Sequence, residues 1–268
     1  MASKFLITDL GDCRLVLGSV FHYGRLIADR SVDVVIDDPP YSEHVHDKAT
    51  SHGGPTEVAV NRDLGFACLT KRDMRRLAKL YQRIVKRWVL VFTDNESSED
   101  WRRELEGAGL QYVRTLRWVK LGAAPQLTGD RPAEHTEAIV LCHQTNPDRS
   151  PMRKRWNGGG KGNVYTAPIV RGDERLLHTT QKPEKLLREL VADFSDPGDL
   201  VFDGHFGSGT TAVAAYAEGR RFLGTENNEI SPKCYAEACA RLAGVQSQLG
   251  LFQRQAPSTT KPQQGKLL

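Results

Sequence analysis

The sequence lacks any long apolar run: nothing in its 268 residues approaches the roughly 18 to 20 consecutive apolar residues of a membrane-spanning helix. Met1 to Leu10 has neither the apolar core nor the small-residue cleavage site of a secretory signal. The expectation is a cytoplasmic protein without membrane association. Cysteine is sparse as well. The five, Cys13, Cys68, Cys142, Cys234 and Cys239, are odd in number and include no C-x-x-C pair, so they give no disulfide framework and no zinc or redox motif. They read as reduced core thiols. Charge of one sign is almost balanced out: 37 Lys and Arg against 33 Asp and Glu leave +4 at pH 7. That total neither demands nor excludes a polyanionic partner, because a basic footprint depends on clustering. Internal repeats are absent.

What is present alternates short apolar runs with longer amphipathic ones, the pattern of an α/β fold with a mostly parallel sheet and helices on both faces. Seven strands are expected: Lys4 to Thr8, Val32 to Asp37, Trp88 to Thr93, Tyr112 to Trp118, Glu137 to Cys142, Leu200 to Asp203 and Arg221 to Thr225. Lys71 to Lys86 carries Met74, Leu77, Leu80, Tyr81, Ile84 and Val85 at helical spacing, and Pro183 to Phe194 starts with a first-turn proline. Both read as helices on the sheet. Residues 1–252 therefore form one catalytic-sized domain, with two long irregular stretches at 42–65 and 144–177 and a polar, disordered tail at 253–268.

Leu200 to Asp203 followed by Gly204-His205-Phe206-Gly207-Ser208-Gly209-Thr210-Thr211 and an Ala-rich run reads as strand, glycine turn, helix. Glycines let backbone approach a ligand closely, and the helix start offers N–H donors. A phosphate loop would need Lys where Thr210 stands. A dinucleotide fingerprint fits the spacing equally well, with Glu226 about twenty residues on. Two features weigh against it. Only 42 residues follow Glu226, so the rest of the sheet must precede the turn, and an earlier strand runs into Asp38-Pro39-Pro40-Tyr41.

Consecutive prolines fix two φ angles and remove two donors, leaving a stiff segment that presents acceptors only. Asp38 and the Pro39 carbonyl could accept both hydrogens of an exocyclic amine, while Tyr41 offers a ring for a planar base. Acceptors that draw those hydrogens out of plane favour a pyramidal nitrogen, the form that attacks an electrophilic methyl. Taken alone, the tetrapeptide reads by default as a tight turn that happens to hold two prolines after a strand.

Together the two motifs resemble the DNA amino-methyltransferases that use S-adenosylmethionine, in the permuted group whose catalytic motif precedes the cofactor motif. The likeness runs from about Lys4 to Gly244 and includes Leu10 to Cys13, Asp38 to Tyr41, Glu137 to Val140, Thr180 to Pro183, the glycine turn and Gly224 to Glu226. It implies a Rossmann-like sheet, S-adenosylmethionine as cofactor with S-adenosylhomocysteine as product, no metal, and DNA methylation of the restriction-modification kind. The resemblance places Asp203 and Gly207 to Thr210 on the methionine part of the cofactor, Glu226 on the ribose and Asp12 on the adenine. It sets Lys182 and Pro183 beside the cofactor, and Asp38 and Tyr41 where methyl and base meet. The wider expected cofactor shell adds Asp38, Gly204, His205, Phe206, Ser208, Thr211 and Asn227. The chain departs from the family at Gly204 and His205, where Pro and Phe usually follow the aspartate, and at Asn227.

A base inside a duplex must be extruded to reach such a pocket. The resemblance thus implies double-stranded DNA as partner, with room for a homodimer. The stretch 42–65, with His44, His46 and His52, reads as a segment ordered by DNA. Phosphate contact is expected from Arg149, Arg153, Lys154, Arg155, Lys161 and Arg171. Adenine N6 is the expected target, because Asp rather than Ser precedes the prolines. Cytosine N4, RNA, a degenerate DNA-binding scaffold and a nicotinamide dehydrogenase are the other readings.

Overall fold

The computed structural model describes residues 5–40, 69–171, 181–227 and 232–255. Tyr41, the 42–65 stretch, residues 172–180 and the tail from 256 lie outside the described residues.

Nine strands make one sheet: β1 (Leu6–Leu10), β2 (Cys13–Leu17), β3 (Val32–Asp37), β4 (Val85–Thr93), β5 (Gln111–Leu121), β6 (Thr136–His143), β7 (Val164–Pro168), β8 (Leu200–Asp203) and β9 (Arg221–Glu226). Their order is β1-β2-β9-β8-β3-β4-β6-β5-β7. Strands β1 and β6 run against the other seven. The α/β class is as the sequence implies, but two strands go beyond the seven expected. Strand β2 pairs with β1 across a two-residue turn at Gly11 and Asp12, where Gly11 has φ 56°. Strand β7 lies within the stretch read as an irregular basic loop. It is a sheet edge whose side chains alternate between exposed and buried, and only Tyr165 and Ala167 face the core. Such short, half-polar strands carry little apolar signal.

Helices α1 (Val20–Tyr23), α2 (Lys71–Ile84) and α3 (Ser98–Ala108) pack on one face; α4 (Glu184–Phe194), α5 (Thr210–Ala217) and α6 (Pro232–Gln255) pack on the other. The last runs through Gln253 to Gln255, which correct the expected start of the tail. Helix α2 forms because Met74, Leu77, Ala78, Tyr81 and Ile84 fall on one buried stripe, and the Thr70 hydroxyl caps it by accepting the Asp73 N–H at 3.2 Å. Helix α5 buries residues 210–215 throughout, which explains its Ala-rich, non-amphipathic sequence. Buried apolar side chains fill both faces, with Leu90 and Ile139 in one layer and Val89 and Val140 in the other.

Candidate active site

Strands β8 and β3 are neighbours at the middle of the sheet, and the chain leaves them in opposite directions, through α5 to β9 and through α2 to β4. Ligands of open α/β sheets bind in the crevice outside the carboxyl ends at such a reversal. Here the crevice is acidic. Strand β3 ends at Asp37 and passes into Asp38, β8 ends at Asp203, and β9 ends at Glu226. Antiparallel β6 starts at this edge and brings Glu137 to it.

The side chain of Asp38 keeps 23% exposure. Its Oδ2 accepts from Lys182 Nζ at 2.6 Å, while Oδ1 is buried without a hydrogen-bond partner among the described residues. A buried acceptor left unmet costs on the order of 1–3 kcal/mol, so its persistence points to a donor that arrives with a ligand. Burial pushes the Asp38 carboxyl up to about 6, with Lys182 opposing and the charges of Glu137 and Asp37 adding to the rise. Lys182 Nζ also lies 2.9 Å from Glu137 Oε1, and Lys120 Nζ 3.0 Å from Glu137 Oε2. Burial would raise Glu137, but the two lysines outweigh it and hold its carboxyl below the usual range. The ammonium of Lys182 sits 5.3 Å from the centre of the Phe92 ring.

The glycine turn forms the other wall. Gly207 and Gly209 have φ of 52° and 80°, which let the chain double back before α5. Glu226 accepts the Gly207 N–H at 2.7 Å and that of Asn227 at 3.1 Å, and burial nevertheless raises its pKa. Asp203 accepts the His205 N–H at 2.9 Å. Burial and the neighbouring charge of Asp37 push the Asp203 carboxyl well above the usual carboxylate range. Asp37 is fully buried, which would raise its pKa as well, yet His205 and the Tyr81 hydroxyl outweigh burial and keep it ionised.

The structure thus brings together Asp38, Pro39, Pro40, Lys182, Pro183, Asp203, Gly204, His205, Gly207 to Thr211, Glu226 and Asn227. Several expectations need correction. Asp12 lies in the β1–β2 turn at the opposite end of the sheet. Its carbonyl accepts from Phe222, and the whole of β2, about 16 Å at the usual rise, separates it from the end where Leu17 pairs with Glu226. It is therefore not at an adenine site beside Glu226. Phe206 belongs to the core, with ring centroids 6.4 Å from Phe222 and 6.2 Å from Tyr235. The Thr210 hydroxyl accepts from Arg241 at 2.9 Å.

The basic segment is displaced in the same way. Because β6 runs backwards, it delivers the chain after His143 to the far end of the sheet. There Arg149 packs by Gly109, Lys154 bonds Gln111 at 2.6 Å, and Arg155 lies 3.5 Å from Asp196. Arg153 is in the same run, and Lys161 is held by Asp193 at 2.9 Å and Glu189 at 3.1 Å. Of the six expected contacts, Arg171 alone stands at the crevice end, bonded to the Gly122 carbonyl.

Asp37, Tyr81 and Lys120 escape the sequence reading. The signal for Asp37 is a carboxylate closing an otherwise apolar strand; Tyr81 looks like one more core residue of α2. Among the described residues, no group of three or more His, Cys, Asp or Glu side chains is arranged to hold a metal, and no helix is long and apolar enough to cross a membrane.

A model of the N6/N4 DNA methylase family matches residues 32–231. The chain belongs to this family. The Type II methyltransferase M2.LlaDCHI of Lactococcus lactis subsp. cremoris is 28% identical to this methylase over 232 residues, covering 80% of this chain and 84% of the relative. Two solved structures share the fold. The M1.HpyAVI–SAM complex superposes with a TM-score of 0.63 at 19% identity, covering 86% of this chain and 98% of that one. The PvuII DNA methyltransferase, described as cytosine-N4-specific, gives 0.65 at 14% identity over 90% and 92%.

Proposed function

We propose that this methylase transfers a methyl group from S-adenosylmethionine to the N6 amino group of adenine in double-stranded DNA. The observation that carries the reading is Asp38 Oδ1, a buried acceptor with an unmet valence, set just ahead of two prolines at the reversal of the sheet and across from the glycine turn. The turn fits the cofactor: a Cβ at Gly209 would fall 2.7 Å from the Ala238 Cβ, so only glycine leaves the bend its tight shape, and Glu226 ends the adjoining strand as a ribose acceptor would. Bound S-adenosylmethionine supplies a methyl group activated by a sulfonium.

Asp38 and the Pro39 carbonyl take the two amine hydrogens and orient the nitrogen lone pair. Asp203, the Gly207 to Thr210 turn and Glu226 would hold the cofactor, which would give up its methyl to the nitrogen lone pair and keep the electron pair of the sulfur–carbon bond. The methylated nitrogen then sheds one proton, for which Asp38 is the nearest acceptor. Lys182, held by Glu137, keeps Asp38 in place and balances its charge. Tyr41 directly follows this segment and is the candidate platform for the extruded base.

The acceptor role requires the carboxylate form. With the Asp38 carboxyl near 6, the ionised fraction grows as pH rises through that value. We expect kcat/KM for DNA to fall about tenfold per unit as pH drops below about 6, and a flat profile from pH 5 to 8 would contradict the role.

For the duplex, the connection 122–135 after β5 stands at the crevice end, carrying Arg131 and the 90% exposed Leu127, with Arg171 at its base. Reversing Arg131 and Arg171 to Glu should weaken DNA binding and lower the slope of log K against log salt by about two, since each phosphate contact contributes about one. The same reversal at Arg149 and Arg153 should leave the slope unchanged. The opposite ranking would return DNA contact to the far end.

Mass spectrometry of nucleosides from DNA incubated with enzyme and cofactor tests the central reading. N6-methyladenine is expected. N4-methylcytosine would favour the second reading, which the fold shared with a cytosine-N4 enzyme keeps in view; neither product would overturn both.

A further inference from the structure

The glycine turn and strand β3 meet at a buried charge cluster that the methyl transfer described above does not use. Nδ1 of His205 lies 3.1 Å from Asp37 Oδ1 and 3.2 Å from Oδ2, so the imidazole faces the whole carboxylate. The Tyr81 hydroxyl donates to the same group from α2. Gly204 completes the arrangement. A Cβ there would stand 2.9 Å from Asp37 Oδ2 and 3.0 Å from Val20 Cγ2, so the carboxylate occupies the space that any side chain at 204 would need. Gly204 and His205 therefore both serve the one carboxylate. The first makes room for Asp37 and the second supplies its partner.

We propose that Asp37, Gly204 and His205 form one co-adapted unit, in which the imidazolium neutralises Asp37 and thereby makes His205 a positioning residue that keeps the adjacent Asp38 ionised. Asp37 and Asp38 are consecutive residues, so an uncompensated charge on the first opposes ionisation of the second. The groups facing His205 are Asp37 at the end of β3, Asp38 just after it, Asp203 from β8 and Glu226 from β9. Tyr81 from α2 and Lys182 ahead of α4 act on it through Asp37 and Asp38. Burial opposes a charge on the imidazole, but Asp37 outweighs burial, with Glu226 and Asp38 adding to the effect, and the imidazole pKa lies above its ordinary value. This inference deepens the methyl-transfer reading and rests on it for the role of Asp38.

His205→Gln tests it, since glutamine keeps a donor for Asp37 and removes only the charge. Two readouts apply to the full chain. The first is NMR titration of the imidazoles, with the His205 signal assigned among the eight histidines by its loss in the variant. It should titrate above the ordinary value near 6.5, and a titration at or below that value overturns the proposal. The second is the pH profile of kcat/KM for DNA. The variant's acid limb should move up by about one unit, so that the ratio of rates at pH 9 and pH 6 grows about fivefold. An unmoved limb overturns the proposal. Asp37→Asn combined with His205→Gln removes both charges and should bring the limb back toward the parent position; a limb still displaced by a full unit would argue for a merely structural role. If the parent enzyme methylates no base, the methyl-transfer reading fails, while the imidazole titration still decides whether His205 is the cation of this cluster.

Discussion

Replacing Asp38 by Ala should lower the methyl-transfer rate by on the order of 10^2 to 10^4-fold, the range that a positioned acid–base group contributes, while S-adenosylhomocysteine still binds in calorimetry. The separation follows from the layout. Asp38 follows β3, whereas the glycine turn and Glu226 belong to β8, α5 and β9 and keep their own hydrogen bonds when Asp38 is cut back. The variant also frees Lys182 from one of its two carboxylates, leaving Glu137 at 2.9 Å to hold it, so the fold should survive. Transfer within a few fold of the parent would remove Asp38 from the chemistry. Loss of cofactor binding along with transfer would mean that Asp38 shapes the donor side as well.

Gly209→Val should do the reverse and strike the cofactor wall. The residue has φ 80°, where a β-branched side chain is strained, and its Cβ would fall 2.7 Å from Ala238 Cβ and 3.1 Å from Ala238 Cα. Neither neighbour is a flexible chain end, so α6 must move. Strain and overpacking together come to about 2 to 5 kcal/mol. The melting temperature should drop by roughly 5 to 15 °C, and the rise in melting temperature that cofactor gives the parent should vanish. Gly219→Ala is the matched control. Its φ is 72° but nothing lies within 4 Å of the added Cβ, so only backbone strain of about 1 kcal/mol is expected, with the cofactor effect intact. Equal losses in the two variants would show that the turn has no special claim on the cofactor.

The elements that were legible in the sequence are those whose burial is continuous. Strand β3 reads Val-Asp-Val-Val-Ile-Asp and is buried at every position, and β8 and the helix after its glycine turn are nearly so. Their apolar runs end abruptly in Asp-Pro-Pro and Asp-Gly, which marked the two walls of the crevice. What escaped was direction. Whether a strand runs with or against its neighbours leaves no trace in its own residues, yet the reversal of β6 alone carries Glu137 to the reactive end and Arg149 away from it. Pairing between distant residues escaped for the same reason: Tyr81 has the spacing of a core residue, and only the fold shows its hydroxyl on Asp37.

The seam between β3 and β8 has a consequence for timing. It rests on Val34 against Val201 and Val35 against Phe202, partners from opposite halves of the chain. During synthesis, the strand that leads into Asp38 emerges long before the glycine turn after β8. Contacts so distant in sequence close late, because the loop entropy must be met before they contribute. A nascent chain on the ribosome therefore has one wall of the crevice and lacks the other until β8, the glycine turn and β9 have been made.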